Sequence, residues 1–142
     1  MNTVKLIAVF SQNKPGEVTR VTKVIADAGA SIRWVTIVGN GAFGVMKFLV
    51  DRCEPAMTAL KQKGAAVNYI EALAIEVNDK CGALLAVSEC LAKHDINLEN
   101  TSGFVANDRA ILVLEVRNPS EASKFLQKEG HRVLSQEEIL HL

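Results

Sequence analysis

The chain repeats itself at an offset of 66 residues without a gap, which limits the fold to two copies of one supersecondary unit. Under this shift Lys14 and Gly16 fall on Lys80 and Gly82, Val21 on Val87, Ala26 on Ala92 and Val50 on Val116. Leu60, Gly64 and Val67 fall on Leu126, Gly130 and Val133. Identities number only about ten, so the weight lies in where they sit, at turns and on apolar faces.

Each copy reads as β-α-β-β-α-β. Residues 4–10 are a nearly continuous apolar run, the mark of a strand covered on both faces. After the breaker segment 11–16 the period changes, with Val18, Val21, Ile25 and Ala28 at helical spacing and Gly29 as the terminator. Residues 31–38 read as a β-branched strand, Asn40-Gly41 as a hairpin turn and 42–50 as the returning strand. A helix over 55–63 and a short strand over 67–70 complete the unit. The second copy predicts strands at 72–77, 96–105 and 111–116, with a turn at 106–108 and a last strand at Val133-Leu134. Its first helix carries Leu84, Val87 and Leu91 on one face. Its second starts at the cap Asn118-Pro119, buries Ala122, Phe125 and Leu126, and stops at Gly130. One short helical turn is expected in 136–142. The fold class is α+β, two tandem ferredoxin-like units over 1–70 and 71–142, each an antiparallel sheet with its helices on one face.

In that arrangement Ile7, Val9, Leu73 and Ile75 face the helices. The opposite parity carries Leu6, Ala8, Val45, Leu49, Ala72, Ala74, Ile111 and Val113, broken only by Lys47 and Glu115. A solvated face would be more polar, so this one is expected to be buried against another sheet, from the other repeat or a second copy.

At 142 residues the chain can build a core without staples. Sixteen basic residues balance sixteen acidic ones, which argues against nucleic acid or an anionic membrane as partner. No apolar stretch nears the roughly 20 residues of a membrane span and no signal-like start precedes the first strand, so a cytoplasmic location is expected. Cys53, Cys81 and Cys90 form no C-x-x-C pair, and His94, His131 and His141 are not spaced as ligands; neither a disulfide framework nor a zinc site is indicated.

The segment 39–44 formally matches G-x-G-x-x-G, but strand-like residues follow it where a dinucleotide site needs a helix, so it reads as a hairpin. The loops before each first helix carry the clearest repeat identity, Asn13-Lys14-Pro15-Gly16 and Asp79-Lys80-Cys81-Gly82. A helix start offers unpaired N–H groups to a carboxylate, while Asn13 and Asp79 could equally cap or turn the chain. Cys81, near a helix start, is read as a small, partly buried side chain in preference to a redox sensor. Arg33 and Trp34 lie on a predicted edge strand, suited to a partner contact or to blunting the edge. His94 belongs at a helix C-terminus, with no acid–base partner at a readable spacing.

An Asn/Asp-x-x-Gly turn between first strand and helix, then Ala28-Gly29-Ala30-Ser31-Ile32 or His94-Asp95-Ile96-Asn97-Leu98 leading to the second strand, resembles the ACT domain, present here as two tandem copies. That resemblance implies a non-catalytic regulatory module. Its effector, an amino acid, is held between paired modules by the helix-1 turn of one and the second-strand start of its neighbour. Carried across, the ligand-binding positions are Asn13, Lys14, Pro15, Gly16 and Ser31 in the first copy and Asp79, Lys80, Cys81, Gly82 and Asn97 in the second. The turn N–H groups receive the carboxylate, and Asp79, Asn13 or Asn97 accept from the ammonium. No cofactor is implied. A homodimer is expected, and an amino-acid-metabolism enzyme is a possible partner.

Two other readings compete: a regulatory subunit docking on a separate enzyme, and a small enzyme on this scaffold. Against the enzyme stands the lack of a nucleophile–base pair, paired carboxylates or a metal cluster in the pattern. RNA binding is weaker, because Phe10 and Phe43 have Glu76 and Arg109 as their repeat counterparts.

Overall fold

The structure, a computed structural model, describes residues 2–142. Its first half runs β1 (Val4–Gln12), α1 (Glu17–Asp27), β2 (Ile32–Asn40), β3 (Phe43–Val50) and α2 (Cys53–Gln62) into β4 (Ala66–Val77). From β4 the second half continues as α3 (Ala83–Lys93), β5 (Asn100–Ala106), β6 (Arg109–Glu115), α4 (Pro119–Lys128), β7 (Arg132–Leu134) and α5 (Gln136–Leu140). The chain divides into two compact units, Lys5–Ile70 and Glu71–Leu142, the latter joined by the residues up to Val4. Asn2 Nδ2 donates to the Val133 carbonyl at 3.1 Å and ties that start to β7.

In the first unit β3 lies between β2 and β1, antiparallel to both. The segment 39–44 is the end of this β2–β3 hairpin, and Gly39 pairs with Gly44 across it. Ile7 and Val9 of β1 and Met46 and Phe48 of β3 meet Val21 and Ile25 of α1 and Ala56, Met57 and Leu60 of α2 in one buried cluster. The second unit has the same plan: β4 lies between β6 and β7, and β5 pairs with the far side of β6. Leu73, Ile75 and Leu114 pack there against Val87, Leu91, Ala122 and Leu126. Each large aliphatic side chain so buried contributes about 1.5–3 kcal/mol, which is why the helical faces are fixed by these stripes.

Each of the four principal helices ends in the same motif. The amides of Ala30, Ala65, Ile96 and His131 reach back to Ile25, Leu60, Leu91 and Leu126, with Gly29, Gly64, Asp95 and Gly130 at positive φ before them. These are Schellman ends, which close the last turn on its own carbonyls. Asn107 and Asp108, both at positive φ, form the β5–β6 turn, the conformation a two-residue hairpin with right-twisted strands demands.

Three expectations change. The strands at 67–70 and 72–77 are one strand, β4, since Glu71 between them is no chain-breaker. The strand expected from residue 96 begins at Asn100, because the amide of Ile96 is committed to the end of α3. The helix expected from residue 55 begins at Cys53. Of the apolar residues opposite the helices, Leu6, Ala8, Leu49, Ala72, Ala74, Ile111 and Val113 are at 3% exposure or less, whereas Val45 is partly exposed. Among the described residues no helix is long and apolar enough to cross a membrane.

Candidate functional site

The two turns that the duplication marks share one backbone path. Gly16 and Gly82 sit at φ 91° and 88°, each immediately before its helix. In both, the first i to i−4 bond comes from the fourth residue after the glycine, Arg20 to Gly16 at 2.9 Å and Ala86 to Gly82 at 3.0 Å. Neither helix has a side-chain cap, so Asn13 and Asp79 do not perform the capping role that was the alternative to ligand binding. The amides of Val18 and Thr19, and of Leu84 and Leu85, are therefore the uncommitted donors of each helix start. A Cβ on either glycine would meet nothing within 4 Å, which leaves the backbone open to close approach.

The surroundings of the two turns differ. At the first, the Asn13 amide group donates to the Gly41 carbonyl at 3.0 Å and the Asn13 N–H to the Ala42 carbonyl at 2.9 Å, so the loop is fastened to the hairpin tip. The space left, lined by Lys14, Glu17, Val18 and Ile37 among others, is only about 40 Å³. Glu17 already places a carboxylate in the first turn of α1, bonded to Arg20 at 2.9 Å, and that bond holds its carboxyl below the usual range. This helix start carries its own anion.

At the second turn, an open cleft of about 530 Å³ is lined by Lys80, Cys81, Gly82, Ala83, His131 and Arg132, and also by Glu76. The first turn of α3 holds no acidic residue. Glu76 is matched by Arg109 and by Arg132 at 3.6 Å, and Arg132 also bonds Glu138 at 2.9 Å. Lys80 has no ion pair among the described residues. Charge and space both favour an incoming carboxylate here over the first turn.

The remaining sequence candidates lie apart from these turns. Pro15 is exposed within the first loop and Asp79 within the second; Asp79 does not line the cleft, and Cys81, expected to be partly buried, is exposed because the turn that carries it stands out at the cleft wall. Ser31 donates its N–H to Asp51 at 2.8 Å, at the other end of the β2–β3 pair from Asn13. Asn97 is not the start of a strand; it lines a separate cleft of about 730 Å³ with Asp95, Arg117 and Glu121. His94 does have an acidic partner, Glu129 at 2.8 Å, and its ring stacks on Phe125 with centroids 3.7 Å apart. Their separation of 35 residues gave no spacing signal. His131 and Arg132 were also missed, because only folding brings the start of β7 beside the α3 turn.

The paired βαββαβ units and their matching glycine turns define an ACT-type regulatory architecture. The chain belongs to the family of ACT domain pairs, which it matches over residues 2–142. A crystal structure of a protein from Bacteroides thetaiotaomicron is similar at 26% identity and a TM-score of 0.92, covering 99% of this chain and 98% of that one. The ligand-free regulatory subunit of aspartate kinase from Thermus thermophilus shares the fold at 14% identity and a TM-score of 0.61, over 89% and 91% of the two chains. Aspartokinase III from E. coli, in complex with lysine and aspartate, shares it at 16% identity and a TM-score of 0.55, over 90% of this chain and 30% of that one. No curated protein matches the chain.

Proposed function

We propose that this protein is a non-catalytic regulator that binds an amino acid, with the effector carboxylate received at the start of α3. The observation that carries this reading is a helix start whose first turn holds no acidic residue and whose Gly82 and Ala83 line an open cleft with Lys80, His131 and Arg132, the one acid in that lining, Glu76, being paired with Arg109 and Arg132. Leu84 and Leu85 are 47% and 60% exposed, so apolar surface is available next to those amides for an effector side chain or a second copy of the chain. The amino-acid class is suggested by membership of the ACT family and by the lysine complex of a protein with this fold. In this reading the ten turn and strand-start residues are not equivalent: Lys80, Cys81 and Gly82 contact the effector, and Asn13, Lys14, Pro15 and Gly16 hold a closed counterpart.

The test is a thermal-shift screen of the common amino acids. A ligand at about 100 times its dissociation constant stabilises by roughly 2.7 kcal/mol, a shift of several degrees. Lys80→Ala is expected to weaken the response to the active ligand and Lys14→Ala to leave it intact. Absence of any shift across the screen sinks the reading.

A second reading is favoured by β2, where Ile32, Val35, Ile37 and Val38 are all more than a third exposed. Such a strand suits a regulatory subunit docked on a separate amino-acid-metabolism enzyme. Co-purification with that enzyme, lost on Val35→Lys, would separate this reading from the first.

A further inference from the structure

The C-terminal ends of α3 and α4 converge on a set of donors that the β-sheet side of the unit lacks. Cys90 lies in the last turn of α3, His94 follows the last residue of that helix four positions on, and Glu129 follows the last residue of α4. One donor atom from each, Sγ, an imidazole nitrogen and a carboxylate oxygen, lies within 4.8 Å of the other two. Cys90 is buried, and His94 and Glu129 are partly covered at 25% and 29% side-chain exposure. Phe125 stacks on the imidazole with rings 9° from parallel, which fixes its plane.

The duplication shows that packing does not require this set. The positions 66 residues earlier hold Val24, Ala28, Ala59 and Lys63 in place of Cys90, His94, Phe125 and Glu129. α1 packs on α2 there as α3 packs on α4 here. Four neighbouring positions have thus diverged together, three of them into ligand-type side chains and one into a ring that orients a ligand. His94 and Glu129 are the residues that follow α3 and α4, so both stand at helix C-terminal ends, where the partial negative charge favours a cation.

We propose that Cys90, His94 and Glu129 bind a divalent transition metal of the zinc class, with the fourth position left to water or an exogenous ligand. A thiolate, an imidazole and one carboxylate suit zinc and disfavour magnesium or calcium, which require oxygen donors. Bonds of about 2.0–2.3 Å in a tetrahedron place donors roughly 3.3–3.8 Å apart. His94 Nε2 and Glu129 Oε2, now 2.8 Å apart, need to part by about half an ångström to admit the ion. On binding, the Cys90 thiol releases its proton to solvent and its sulfur pair goes to the metal. His94 gives the Nε2 pair and carries its proton on Nδ1. Lys93, 3.6 Å from the same carboxylate oxygen, is the competing cation; its side chain is 67% exposed and free to swing away.

The full chain, reduced and metal-free, is titrated with cobalt(II), which reports its ligands by colour. One equivalent is expected to give a thiolate-to-cobalt charge-transfer band and intense visible bands of a four-coordinate ion, both erased by added zinc. Cys90→Ser removes the charge-transfer band. His94→Ala and Glu129→Gln weaken binding by at least about 10-fold, the scale of losing even an outer-shell support. Because a buried cysteine variant can misfold, Cys53→Ser/Cys81→Ser is the companion: it retains the full spectrum. No band in the native chain, a band that survives Cys90→Ser, or one lost in the companion variant overturns the proposal.

Discussion

The side chain of Asn13 lies 2.6 Å from the point where Gly39 would carry a Cβ, so the first turn closes onto β2 only because position 39 is glycine. Gly39→Ala therefore displaces Asn13 and breaks its bond to the Gly41 carbonyl. A net loss of about 0.5–1.5 kcal/mol is expected, the value of one such bond. In an Asn13→Ala background the obstruction is gone and the same substitution becomes neutral or mildly stabilising, as alanine in a strand exceeds glycine. Urea denaturation of the four proteins measures the coupling; equal costs of Gly39→Ala in both backgrounds would refute the contact.

Asp95 occupies the left-handed position at the end of α3 that Gly29 fills after α1, at φ 58° against 76°. A residue with a Cβ pays conformational strain there that glycine avoids. Asp95→Gly is expected to raise stability by about 0.5–1 kcal/mol, and Gly29→Ala to lower it by about 1 kcal/mol. A Cβ at Gly29 would stand 3.6 Å from the Arg52 guanidinium, an ordinary contact, so the loss there is backbone strain alone. Thermal melts that move in the same direction for both variants would contradict this.

The capping box of α5 is sensitive to acid. Ser135 N–H donates to the Glu138 carboxylate at 2.8 Å, Ser135 Oγ accepts from Glu138 N–H at 3.1 Å, and Arg132 reaches the other carboxylate oxygen at 2.9 Å. The backbone bond from Ser135, then its hydroxyl and the nearby Arg132 and Arg109, hold the Glu138 carboxyl below its usual 4.5. A depressed carboxyl supports the fold above its ordinary pKa, and that support is lost as pH falls through the lowered value. The protection factor of the Ile139 amide, its exchange relative to the unstructured rate at each pH, should therefore fall below about pH 4.5. Glu138→Gln should flatten that pH dependence, and Ser135→Ala should cost about 1 kcal/mol at neutral pH. A protection factor at Ile139 that is level across this range would show the box to be inert.

The strands, helices and most of their buried faces were legible because period, turn residues and duplication agreed: Val21 with Val87 and Leu60 with Leu126 are covered in both units, whereas Val18 and Leu84, expected on the same helical faces, are 39% and 47% exposed because they lie in the first turn, at the rim of each helix. What one chain could not reveal came from pairs brought together by folding. The Asn13 side chain could have capped α1, and only the hairpin geometry shows that it binds Gly41 instead. Cys90 and His94 have helical i, i+4 spacing, but their third companion, Glu129, lies on another helix. The start of β5 was misplaced because Asp95 gives no signal of a left-handed helix end, whereas Gly29 does.

Because Gly16 and Gly82 share one conformation and neither faces any atom within 4 Å of a Cβ, alanine at either should cost the same, about 1–2 kcal/mol of left-handed strain. Their effects on effector binding should diverge. At Gly82 the added methyl enters the lining of the open cleft, with Lys80, Cys81 and Ala83. At Gly16 it sits beside a small closed space whose helix start already carries Glu17. Calorimetric titration with the amino acid found by the thermal-shift screen should show binding weakened at least about 10-fold by Gly82→Ala, or about 1.4 kcal/mol, and unchanged by Gly16→Ala. Equal weakening by both variants would mean that the two turns act together and that the asymmetry of their surroundings does not select the site.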